Sequence, residues 1–144
     1  MKKNNGLSFF IPKKEMGLDA ILINTGISAG FPSPAGDYKQ ERISLDKELI
    51  KNQEATFFAR VSGESMVNAG LEDGDLIIID RSIEPSNNKI AVCYIDGEFT
   101  VKRLRVKKGK IWLQPENSKY QPIEIKEDNE LIIWGIVTNV VKKL

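Results

Sequence analysis

From Thr56 onward the chain is a succession of short runs rich in Val, Ile, Phe and Tyr, each stopped by a turn signal. The runs are Thr56 to Val61, Asp75 to Asp80, Lys89 to Ile95, Glu98 to Val106, Lys110 to Gln114 and Leu131 to Val141. Between them stand Asp73-Gly74, Pro85-Ser86-Asn87-Asn88, Asp96-Gly97, Lys108-Gly109 and Pro115-Glu116-Asn117-Ser118. Runs of this length and composition read as strands. Asp96-Gly97 between two apolar runs predicts a two-residue hairpin, because both residues can take the positive φ such a turn needs. Many short strands with close turns predict a mainly β fold, a compact and strongly bent antiparallel sheet or partial barrel. Ser44 to Ile50 reads as a short helix, with Ser44 or Asp46 able to cap it, and Met66 to Ala69 as about one helical turn before Gly70.

The stretch before this sheet is built differently. Met1 to Asn5 resembles the basic start of a leader, but Phe9-Phe10-Ile11 is stopped at once by Pro12-Lys13-Lys14, whereas a leader needs about 7–15 apolar residues. No window approaches the roughly 20 apolar residues of a membrane span, so a cytoplasmic protein is expected. Residues 30–37 hold two prolines and two glycines, which predicts an extended, exposed linker. The expected organisation is an N-terminal arm over residues 1–29, a linker over 30–42 and one β domain over 43–144.

Histidine is absent, and this narrows the chemistry. It removes Ser-His-Asp and Cys-His catalysis, histidine bases and histidine metal ligands together. One cysteine excludes an internal disulfide and a Cys-rich zinc site. No metal or other cofactor is expected. A net charge of +1 supplies no bulk attraction to nucleic acid.

Three stretches could carry chemistry. In Ser62-Gly63-Glu64-Ser65-Met66, Ser65 stands where a strand ends and a short turn begins. Free backbone amides there favour negative charge, so the serine is either a nucleophile or, more commonly, a cap. In Phe99 to Val106, strand alternation puts Lys102 on a partly apolar face with Thr100, Leu104 and Val106. Lysines are seldom fully buried. Burial lowers an amine's pKa, at a cost of about 1.36 kcal/mol per unit, and a neutral amine can take a proton from a serine. The alternative is a lysine that snorkels to solvent. Third, Ala29-Gly30 has no bulky side chain to obstruct a tight groove. The stretch from Gly30 to Ile43 can span up to about 43–47 Å if extended.

Taken together these stretches resemble the UmuD-type self-cleaving proteins of the LexA family of Ser-Lys peptidases. The matching residues are Ala29-Gly30-Phe31-Pro32-Ser33-Pro34-Ala35-Gly36-Asp37-Tyr38, Ser62 to Met66, Asp73 to Leu76, Asp96 to Leu104, Pro115 to Ser118 and Gly135 to Val137. The resemblance implies that Ser65 is the nucleophile, Lys102 the general base and Ala29-Gly30 the scissile bond. In that reaction the amides of Glu64 and Ser65 would hold the oxyanion. It further implies self-cleavage in the DNA-damage (SOS) response, stimulated by a RecA filament on single-stranded DNA. The shortened product would join a Y-family (UmuC-type) polymerase subunit in error-prone translesion synthesis; separately, exposed strand edges point to a homodimer whose interface no sequence feature fixes. Where UmuD-like proteins often carry Cys before the scissile glycine, this chain has Ala29, as LexA-type repressors do.

Other readings compete. Lys102, Arg103, Arg105, Lys107, Lys108 and Lys110 form a basic run without an acid, as a nucleic-acid-binding β module might, although the same charges suit a solvated edge. A LexA-like regulator would need a DNA-reading element, and the arm is too short for a helix-turn-helix, so no direct sequence-specific DNA binding is expected. A signal peptidase also uses Ser and Lys but needs a membrane anchor, and no membrane partner is expected.

Overall fold

The computed structural model describes residues 7–13, 19–23, 27, 29–31 and 40–144. They form two compact units. One holds the described residues up to Pro12 together with Asn52–Leu144, and the other those between Lys13 and Lys51.

The smaller unit is a two-stranded antiparallel ribbon of β2 (Asp19–Ile23) and β3 (Gln40–Ser44), followed by the short helix α1 (Leu45–Leu49). The helix lies where the sequence predicted it, and Ser44 takes the cap position without a side-chain capping bond. β3 begins inside the stretch read as linker. Residues 32–39, the proline-rich part of that linker, lie outside the described residues.

The larger unit is one eight-stranded sheet in the order β1-β4-β5-β10-β6-β7-β8-β9, with every pairing antiparallel. The strands are β1 (Leu7–Phe10), β4 (Thr56–Val61), β5 (Leu76–Asp80), β6 (Ile90–Ile95), β7 (Glu98–Lys107), β8 (Lys110–Gln114), β9 (Ile123–Glu124) and β10 (Leu131–Val141). The sheet curls into a half-barrel, the bent β architecture the run-and-turn pattern predicts. The hairpin between β6 and β7 turns on Asp96 (φ 47°) and Gly97 (φ 87°), the paired positive values expected of Asp-Gly.

β10 joins the two halves of the sheet. Its later residues pair with β5 and its earlier ones with β6, and the register slips between Ile133 and Gly135 and again between Val137 and Asn139. Such irregularities bend a strand and let it serve two neighbours. Gly135 sits at the closest approach, where an added Cβ would fall 2.5 Å from Ile79 Cγ2.

Burial follows the alternation of the strands. Ala59, Val61, Ile77, Ile79, Val92 and Val101 share one apolar cluster with Leu7, Met66 and Leu71. Ala91, Cys93, Leu104, Leu113 and Ile136 form a second. Trp134 packs with Phe9, Phe57 and Phe99, and the guanidinium of Arg81 lies 4.5 Å from its ring centroid. Among the described residues no helix is long and apolar enough to cross a membrane.

Candidate active site

β4 ends at Val61 and runs into the loop that carries Ser65. The loop is tied at its base, where Val61 N donates to Asp75 O, Gly74 N to Val61 O, and Gly63 N to the Asp73 carboxylate at 2.8 Å. Met66, 2% exposed, anchors it in the core, and a 3-10 turn over Val67–Ala69 follows. Ser65 is thus held between a strand end and a single helical turn, the setting the sequence suggested.

Lys102 lies on β7, opposite Ala91 of β6. Strand alternation puts it on one face with Thr100, whose cross-strand partner is Cys93. The side chain is largely withdrawn from solvent rather than snorkelling to it: Lys102 is only 8% exposed. Its Nζ lies 3.1 Å from Ser65 Oγ, 2.6 Å from Thr100 Oγ1 and 3.1 Å from the Val101 carbonyl oxygen. The structure therefore brings the two sequence candidates into hydrogen-bond contact from opposite halves of the sheet.

Electrostatics at this point favour the neutral amine. Burial pushes the Lys102 pKa below its ordinary value, and no carboxylate pairs with it among the described residues. A thiolate at Cys93 would oppose that shift, but burial pushes the Cys93 thiol up to about 12, so at neutral pH it carries no charge. A neutral amine has two N–H donors and one lone pair. Two acceptors, Thr100 Oγ1 and the Val101 carbonyl, use the donors, which leaves the lone pair for the Ser65 hydroxyl proton. Thr100 positions Lys102. The sequence put it on the right face without assigning it that work.

A second set of contacts holds Ser65 and was not evident from sequence. β8 leaves the β7 ladder after Gln114, opposite Arg103, so Lys102 has no β8 partner. The loop Pro115-Glu116-Asn117-Ser118 crosses instead to the serine. Glu116 N donates to Ser65 O at 2.8 Å, Asn68 N to Glu116 O at 2.9 Å, and Asn117 Nδ2 to Glu64 O at 2.9 Å. Arg103 Nε pairs with the Glu116 carboxylate at 2.5 Å and ties this loop to β7. Among the described residues the amides of Glu64, Ser65 and Met66 make no hydrogen bond and remain available to an incoming oxyanion.

Beside Ser65 is a cavity of about 50 Å³, lined by Leu7, Val61, Ser62, Gly63, Met66, Thr100 and Val101. Its small volume suits a short side chain. Ala29 and Gly30 are exposed. No cluster of three metal-ligating side chains occurs among the described residues. The basic run is not one cationic face: Lys102 is buried, Arg103 pairs with Glu116, and Lys110 pairs with Glu124.

Comparison with known proteins agrees with the family expected from the sequence. The Peptidase S24-like family matches residues 21–138. SamA of Salmonella typhimurium is 44% identical over 124 residues, covering 86% of each chain. MucA of Salmonella typhimurium is 43% identical over 114 residues, 78% of this chain and 77% of that protein. The LexA repressor of Frankia alni is 39% identical over 118 residues, 82% of this chain but 45% of the repressor.

Proposed function

The chain belongs to the Peptidase S24-like family, and we propose that it cuts its own backbone between Ala29 and Gly30. The observation that carries this reading is the buried Lys102 amine 3.1 Å from the Ser65 hydroxyl, with no carboxylate paired to it among the described residues. Lys102 accepts the Ser65 proton as Ser65 Oγ forms a bond to the Ala29 carbonyl carbon. The amides of Glu64 and Ser65 stabilise the oxyanion. As the Ala29–Gly30 bond breaks, the lysine ammonium returns its proton to the Gly30 nitrogen. Water, deprotonated by the same amine, then adds to the acyl carbon, and the ammonium returns that proton to Ser65 Oγ as the ester bond breaks. The cavity beside Ser65 suits a methyl side chain such as that of Ala29.

Because the scissile bond belongs to the same chain, tethering contributes a large effective molarity, and control falls on whether the arm is docked. The resemblance to UmuD-type proteins supports a place in the SOS response. There a RecA filament on single-stranded DNA would favour docking in the cytoplasm. The shortened form, as a homodimer, would serve a Y-family polymerase subunit.

Mass spectrometry after mild alkaline incubation tests the reaction. Fragments 1–29 and 30–144 are expected from the unaltered chain and none from Ser65→Ala or Lys102→Ala. Cleavage of Lys102→Ala at the unaltered rate would refute the dyad.

A further inference from the structure

β1 is the outermost strand of the sheet, and it covers the edge of β4 that leads directly to Ser65. The pairing runs Leu7↔Val61, Ser8↔Arg60, Phe9↔Ala59 and Phe10↔Phe58. Its side chains alternate. Leu7, 5% exposed, lies inward beside Val61 and lines the cavity at Ser65. The Phe9 ring packs 5.0 Å from Phe99 and 4.9 Å from Trp134, centroid to centroid. Ser8 is exposed and Phe10 is 49% exposed. The edge of β4 is therefore a slot that accepts an extended segment with an aliphatic residue and, two positions on, an aromatic one.

This slot is filled by residues that precede the scissile bond. If the chain cuts itself at Ala29-Gly30 (the inference rests on that reading), β1 passes to a separate peptide and is free to dissociate. Its departure would uncover a backbone edge bordered by Ala59, Val61, Phe99 and Trp134. Open edges with apolar flanks recruit another strand, through main-chain bonds for affinity and side-chain pockets for choice. We propose that the β4 edge is a docking site for an extended segment of another protein carrying an aliphatic-x-aromatic pattern. Residues 7–10 hold the site in the uncut chain and vacate it on cleavage.

The test uses the full chain with Ser65→Ala, so that nothing is cut. Leu7→Asp and Phe9→Asp are added to empty the slot. The probes are three fluorescein-labelled peptides read by anisotropy: residues 5–13 as they stand, the same peptide with Ile and Tyr in place of Leu7 and Phe9, and one with Asp at both. The first two should bind the emptied chain at least about tenfold more tightly than the Asp peptide, and more tightly than they bind the chain with β1 intact. Equal binding of all three peptides, or no binding, would overturn the docking site. Binding of the residue 5–13 peptide alone would make it a self-recognition site and overturn the partner reading.

A second variant guards against a misfolded double mutant. Ser8→Cys with Arg60→Cys, in a chain with Ser65 intact that has been allowed to cut itself, should shut both apolar peptides out when oxidised, with β1 still tethered to β4, and admit them when reduced. Indifference to oxidation would refute the slot. The unaltered chain, assayed before and after self-cleavage, tests the exchange. Binding that appears only after the cut supports it, and cut chains that bind nothing while the emptied chain binds refute it. A chain that never cuts would overturn the proposed function while leaving the result on the emptied slot intact.

Discussion

Replacing Lys102 by methionine in a Ser65→Ala chain removes the buried amine and keeps a side chain of similar reach. In the folded chain, burial lowers the Lys102 pKa, and the neighbouring groups Ala91, Thr100 and the protonated Cys93 bring no negative charge. In the unfolded chain the same amine titrates near 10.4. Between those two values the unfolded chain holds a proton that the folded chain has lost, so stability rises with pH, by at most about 1.36 kcal/mol per unit. Below the folded value both states are charged and the full cost of burying the cation is present. Above about 10.4 both are neutral and that cost is gone. Methionine has no such transition. The difference in unfolding free energy between the Lys102 and Met chains is therefore expected to be flat in acid, to shift toward the Lys102 chain with rising pH, and to level off again. Urea denaturation followed by tryptophan fluorescence across a pH series measures it, and groups common to both chains cancel. The proposed self-cleavage of the unaltered chain gives a second reading of the same pKa. Its rate should rise about tenfold per pH unit and flatten where the stability difference begins to climb. A stability difference that ignores pH, or a rate that keeps rising to the ordinary lysine value, would refute the buried-amine argument.

Thr100→Val removes the 2.6 Å partner of Nζ. With such a bond worth about 0.5–1.5 kcal/mol, it should slow self-cleavage about 3–10-fold, and Thr100→Ser should restore the rate. An undiminished rate in the Val variant would show that Thr100 does not position the amine. Gly135→Ala forces a Cβ against Ile79, and an overpacking cost of about 1–3 kcal/mol should lower the urea midpoint measurably. An unchanged midpoint would mean that β10 moves aside freely. Cys93, fully buried and with its pKa pushed up to about 12, should resist a thiol reagent at pH 8 until the chain is unfolded in urea. Rapid labelling of the native chain would contradict its burial.

What could be read in advance was local. Asp96-Gly97 announces its hairpin because few residue pairs tolerate two positive φ values, and the long β-branched runs announce their strands. Ser65 and Lys102 stood out as candidates because the chain lacks histidine and because each sits in a suggestive local setting. What could not be read depends on partners distant in sequence. Leu7 to Phe10 is too short to declare itself a strand and becomes one only beside β4. β9 has two residues and exists through its pairing with β8. The contacts from Glu116 and Asn117 to the serine loop form because β8 stops at Gln114, which no pattern within residues 115–118 foretells. The place of Cys93 opposite Thr100, near the amine, is likewise a matter of register between strands.

The position of β10 has a consequence for the nascent chain. Ser65 belongs to the β4–β5 side of the sheet and Lys102 to the β6–β7 side, and the strand that seams them, residues 131–141, is made after both. While the ribosome still holds that segment, the hydroxyl and the amine belong to two unjoined fragments of sheet. The meeting of amine and hydroxyl therefore waits until translation has passed Val141, and a half-made chain holds the two residues on fragments that β10 has yet to join.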